Sequence, residues 1–217
     1  MAIKPILFKT EMVRAILDGR KACTRKILKG GIPFDEKAEY WNVLKKGEWS
    51  GPICVEYFMK QGSPYKPGDI LYVRETWSLR FDGEKCFYKA DKNTFREEKC
   101  LLDYDDVRWH PSIHMPKEAA RIWLKVMDVR VERLKDMTNN DALKEGAEGV
   151  RCDHAGSGAY GCTDCMNTGW LEPPIVEFVQ IWDSTIKKSD IDRYGWNANP
   201  YVFVIEFERC DKPESEG

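Results

Sequence analysis

No stretch of the chain approaches the roughly 18 consecutive apolar residues that a membrane-spanning helix needs, so a membrane role is not expected. The opening residues, MAIKPILFKTEMVR, carry too short an apolar run for a secretory signal, and the expected compartment is the cytoplasm. An excess of one charge is also missing: 34 Lys and Arg stand against 36 Asp and Glu, a net charge of -2. Global charge therefore carries no nucleic-acid signal, and any such signal must be local. Eight Cys in 217 residues are too sparse for a disulfide scaffold. Cys23, Cys54, Cys86, Cys100 and Cys210 lie scattered, mostly beside apolar residues, and read as buried or incidental thiols. Internal repeats are lacking too, which excludes a solenoid.

What is present is a globular composition, 42% hydrophobic and 32% charged, in a chain long enough for one domain with insertions. KPILFKT reads as a first strand. Thr10 can cap a helix over 11 to 18, with Met12, Val13, Ile16 and Leu17 on one face and Gly19 as its stop. TRKILK and KCFYKAD are short strands, KPGD (66 to 69) is a turn, and ILYVRETWSL is strongly β-prone. Residues 119 to 134 alternate over much of their length and form the best long strand. Thr138 caps a short helix in NNDALKEGA, PPIVEFVQIWDSTIKK is a second helix opened by proline, and NPYVFVIEFERC closes as a strand. Residues 30 to 66 read as an irregular insertion, and 91 to 106 as an acidic excursion. The expected class is α+β: one domain over 1–210, with short helices between strands of a curled sheet and a charged tail at 211–217.

Several segments could carry chemistry. The first is GRKACTR at 19 to 25. From Lys9 to Lys29 the chain holds seven Lys or Arg against two acids. A threonine hydroxyl becomes a nucleophile once a base takes its proton, and Lys21, three residues before Thr24, could be that base. Arg20, Arg25 and Lys26 would tune it or hold phosphate. The plainer reading is a basic turn at a helix end, favourable to the helix dipole. In VRETW, Arg74, Glu75 and Trp77 could line a cleft at a strand end, or form a cross-strand ion pair beside a core tryptophan. Alternation would turn Arg74 and Thr76 one way, and Glu75 and Trp77 the other.

RWHPSIHMPK offers Trp109, His110, His114 and Lys117 from a proline-stiffened loop, suited either to a base and a phosphate or to a structural crossover. Pro111 argues against one helix carrying both His as a metal pair. Cys152, His154, Cys162 and Cys165 lie within fourteen residues, with glycines between them. Their C-x-x-C pair is the usual knuckle, and four ligands close a tetrahedral site, so structural zinc is expected, with a redox dithiol or unligated thiols as alternatives. Glu145 and Glu148, three apart on a short helix, share a face, either as solvated acids or with one orienting a catalytic lysine.

In chain order, KPILFKTEMVRAILDGRKACTRKI, KPGDILYVRETW, HPSIHMPKEAARIWLKVMDVRVERLKDMTNNDALKEG and WNANPYVFVIEFER resemble the ASCH family, above all its phage- and prophage-borne members. The resemblance implies a PUA-like fold, a small β-barrel with flanking helices and a cleft near the first helix. It implies binding of RNA, DNA or a modified nucleoside by a monomer without an organic cofactor. One bacterial ASCH branch hydrolyses the acetyl amide of 4-acetylcytidine with a threonine, a lysine and a glutamate. Lys21 and Thr24 match its G-x-K-x-x-T motif, and Glu145 matches its glutamate by position, on the helix after the long strand. Other members are described as nucleic-acid binders or ribonucleases. A non-catalytic reader therefore stands beside the hydrolase, as does a ribonuclease using His110 and His114. The chain departs from the minimal enzyme by insertions at 30–66, 78–118 and 150–172.

Overall fold

The computed structural model describes residues 1–28, 63–79, 86–91, 107–153, 165–166 and 168–213, together with the strand backbone of 31–33, 40–45 and 48–54. The described elements begin with β1 (Ile3–Leu7), α1 (Thr10–Leu17), β2 (Cys23–Ile27), β3 (Gly31–Pro33), β4 (Tyr40–Lys45) and β5 (Glu48–Cys54). Next come β6 (Ile70–Arg74), β7 (Trp77–Leu79), β8 (Cys86–Tyr88), β9 (Trp123–Arg133) and α2 (Asn139–Lys144). The chain closes through β10 (Val150–Arg151), β11 (Trp170–Glu172), α3 (Pro174–Thr185), α4 (Ile191–Tyr194) and β12 (Tyr201–Cys210). Sheets and a few short helices make a mixed α/β chain. Among the described residues no helix is long and apolar enough to cross a membrane.

Two compact units share the chain. The first comprises Met1–Arg20, Pro67–Met127 and Phe207–Gly217. In it β1 runs parallel to β6, Ile3 opposite Ile70 and Leu7 opposite Arg74, while β6 pairs antiparallel with the start of β9, Tyr72 opposite Trp123. Ile70, Leu71 and Val73 are all buried, so β6 is covered on both faces, as its unbroken apolar run requires. Helix α1 buries Val13, Ala15 and Ile16, its apolar stripe. It begins at Thr10 itself, with Lys9 as N-cap and no side-chain cap, one residue earlier than a Thr10 cap implies. Its end matches expectation: Gly19 takes φ +74, the Gly19 N–H reaches the Ile16 carbonyl and the Arg20 N–H the Ala15 carbonyl. This is a Schellman stop, which needs a residue tolerant of positive φ.

The second unit comprises Lys21–Lys66 and Asp128–Glu206. Here β2 pairs antiparallel with β12, Cys23 opposite Glu206 and Ile27 opposite Val202. One core cluster gathers Leu134, Met137, Ala142, Ala147, Phe178, Trp182, Val202 and Val204. Phe178 and Trp182 lie four apart on α3, which is why the helix presents both to one side. The stretch 30 to 66 is less irregular than its Gly and Pro content suggests. Strands β3, β4 and β5 form a three-stranded antiparallel sheet there, Gly31 opposite Val43 and Tyr40 opposite Cys54. Pro52 is tolerated because β5 is an edge strand.

Candidate functional site

A helix stop sets the site. Helix α2 opens with a capping box: the Asp141 N–H donates to the Thr138 hydroxyl, and the Thr138 N–H donates to the Asp141 carboxylate. It closes with Glu145 as C-cap and Gly146 at φ +91. The Gly146 N–H reaches the Leu143 carbonyl and the Ala147 N–H the Ala142 carbonyl, a second Schellman stop. The chain leaving Gly19 meets this end: the Ala22 N–H donates to the Lys144 carbonyl at 2.8 Å. Lys21 Nζ then donates to the Glu145 carbonyl at 2.8 Å and to Glu145 Oε2 at 2.6 Å. The motif lysine therefore does sit at a helix C-terminus, where a cation is favoured, but the helix is α2 and not α1.

The contact is buried, with Lys21 4% exposed and Glu145 8%. Arg25, also buried, reaches Glu145 Oε1 at 3.3 Å and Glu132 Oε2 at 3.4 Å. Arg130 continues the chain of charges, its Nε 2.5 Å from Glu132 Oε1 and its Nη1 2.6 Å from Glu206 Oε1. Six charged side chains thus form one ladder: Lys21, Glu145, Arg25, Glu132, Arg130, Glu206. Glu132 and Arg130 are absent from the sequence reading, although their i, i+2 spacing on β9 puts both on one face and was available as a signal. Arg25 Nε is buried with no hydrogen-bond partner among the described residues.

Alternation along β2 divides the rest of the motif. Cys23 and Arg25 share a face, with Arg25 Nη1 4.0 Å from Cys23 Sγ. Thr24 and Lys26 leave on the other. Thr24 is buried and Lys26 is half-buried. Burial pushes the Cys23 thiol up to about 12, with the Glu145 charge adding to the shift. Burial also lowers the Lys26 ammonium below its ordinary value; the Lys21 charge pushes the same way and Glu145 opposes it.

Other expected positions lie elsewhere. Glu148 is exposed beyond Gly146, and its N–H donates to the Glu177 carboxylate. It shares no helix face with Glu145, because α2 ends at Lys144. Arg20 is exposed and pairs with Asp18 at 3.0 Å. In the first unit, β6 ends at Arg74 and β7 starts at Trp77, so a single alternation does not run through VRETW. The Arg74 guanidinium donates to the Ile113 carbonyl. Glu75 is 1% exposed and takes two hydrogen bonds from Arg121, at 2.9 and 3.1 Å. Arg121 also bonds Asp91 and lies 4.0 Å over the Tyr88 ring. Trp77 belongs to the core cluster with Met115 and Trp123, its ring 5.3 Å from that of His110. Trp109 is half-buried, whereas His114 and Lys117 are exposed on short 3-10 turns.

Of the four expected zinc ligands, His154 and Cys162 lie outside the described residues. Cys152 and Cys165 are both buried and in no disulfide. Near them β10 pairs with β11, the Cys152 N–H donates to the Gly169 carbonyl and the Thr168 N–H to the Cys165 carbonyl. Among the described residues no three metal-ligating side chains gather.

No family model matches the chain, and no curated protein does. Among solved structures, the chain is similar to an ASCH domain from Lactobacillus crispatus JV V101, with 8% identity and a TM-score of 0.35 over 96% of this chain and 79% of that one. Likeness at that level carries no argument about fold or chemistry, so the functional reading rests on the residues themselves.

Proposed function

We propose that the chain is an ASCH-type domain with a PUA-like fold that binds RNA or a modified nucleoside beside Lys21 and Thr24, and that it hydrolyses the amide of an N4-acylated cytosine. One observation carries the reading: Lys21 and Glu145, 124 residues apart in sequence, meet in a buried contact of 2.6 Å. Buried ion pairs contribute little net stability, because desolvation offsets their attraction. A carboxylate shared by two buried cations is therefore better explained by chemistry than by folding.

In the reaction, Thr24 Oγ1 attacks the acyl carbon. Its proton passes to Lys21 Nζ as general base, with Glu145 orienting the amine. Collapse of the tetrahedral adduct breaks the C–N4 bond, and Lys21 returns a proton to the leaving amine. Water then cleaves the threonine ester, releasing the carboxylic acid and restoring the hydroxyl. Arg25 holds Glu145 in place from its other oxygen. Cys152, His154, Cys162 and Cys165 would hold a structural zinc, which would stabilise the fold and take no part in these steps.

The test is incubation of the purified protein with 4-acetylcytidine, free and within RNA, followed by mass spectrometry of the products. Turnover lost in Thr24→Ala and Lys21→Met supports the hydrolase. Binding of both substrates without turnover in the wild type assigns a reader instead.

A further inference from the structure

Lys26 stands apart from the ladder. Each cation of the ladder has a carboxylate within hydrogen-bond reach: Lys21 and Arg25 share Glu145, and Arg130 holds Glu132 and Glu206. The Lys26 ammonium has neither an ion pair nor a hydrogen bond among the described residues. It leaves β2 on the same face as Thr24, two residues further along the strand, and its cross-strand neighbour on β12 is the apolar Phe203. The charged groups that act on it are Lys21, which repels it, and Glu145, which is already taken by two cations. A half-buried ammonium in that position is poorly hydrated and poorly compensated. An anion arriving on the Thr24 face would relieve both deficits.

We propose that Lys26 contacts a phosphate of the ligand, so that the Thr24 site takes a nucleotide or polynucleotide in preference to a free nucleoside. The inference rests on the modified-base reading of this site and narrows its substrate class. Burial and the Lys21 charge both lower the proton affinity of Lys26, and a bound phosphate raises it again, so binding draws the lysine fully into its charged form.

The experiment compares three probes on the full chain carrying Thr24→Ala to stop turnover: 4-acetylcytidine, its 5′-monophosphate, and a short RNA containing 4-acetylcytidine. The monophosphate or the RNA is expected to bind roughly ten- to a hundredfold more tightly than the nucleoside, the range of a charge-assisted hydrogen bond. Which of the two binds tighter tells a terminal from a bridging phosphate. Lys26→Met should bring the preference to within about twofold and reduce the salt slope of RNA binding by about one. Lys26→Arg, which keeps the charge on the same strand, should retain both, and guards against a folding defect in the Met variant. Equal binding of all three probes by the Thr24→Ala chain overturns the inference and leaves the modified-base reading standing. So does a preference that survives Lys26→Met. Failure of every probe to bind overturns both.

Discussion

Replacing Glu145 by Ala removes the one carboxylate that lies between Lys21 and Arg25. Both cations are buried, with Lys21 losing a partner at 2.6 Å and Arg25 one at 3.3 Å. Arg25 keeps Glu132 at 3.4 Å, and Lys21 keeps the backbone carbonyl of position 145. Breaking a buried pair by deleting one partner costs about 3–5 kcal/mol, because an uncompensated charge stays behind. For a chain of this size that corresponds to a fall in Tm of roughly 6–20 °C. Glu145→Gln should cost less, since an amide oxygen still accepts from Lys21. The double variant Lys21→Met/Glu145→Leu should recover much of the loss by removing cation and carboxylate together, and it should be inactive. Circular dichroism through thermal and urea transitions measures all three. A Glu145→Ala chain within about 1 kcal/mol of wild type would show that the pair is exchanging with water and would sink the argument from burial.

Three further outcomes follow from the same geometry. The Cys23 thiol, pushed up to about 12, should resist disulfide reagents at pH 8 until the chain unfolds. Its sign under linkage is destabilising: the unfolded thiol loses its proton from about pH 9, the folded one does not, so stability should fall as pH rises through that window. Gly146→Ala, at φ +91, should cost about 1–2 kcal/mol by strain and should depress turnover further by displacing the neighbouring Glu145, which urea titration and product assay report separately. Elemental analysis should find about one zinc per chain under the tetrahedral reading, lost in Cys162→Ser together with thermal stability; a metal-free, fully stable wild type would discard the zinc.

Short-range rules made much of this chain legible. Thr138 followed by Asp141 is a capping box, and the box is formed. Gly19 after an amphipathic stretch is a helix stop, and its φ is positive. The apolar residues at helical spacing announce α3, and the β-prone run from Ile70 announces a strand. Rules of the same range also misled. Glycine and proline hid β3–β5, because edge position, which tolerates proline, is a property of the sheet and not of the segment. Glu148 looked like the partner of Glu145 by helical spacing, but the positive φ of Gly146 turns the chain between them.

The sequence by itself determined the residue types: a lysine and a threonine three apart after a helix stop, and a glutamate at the end of a short helix far along the chain. Tertiary structure alone decided that Lys21 and Glu145 touch, that Arg25 and Glu132 join them, and that Lys26 does not. Contacts between residues 124 apart depend on where whole strands and helices pack, and no local propensity encodes them. Burial then turns those contacts into chemistry, because a charge out of water must find a partner or wait for one.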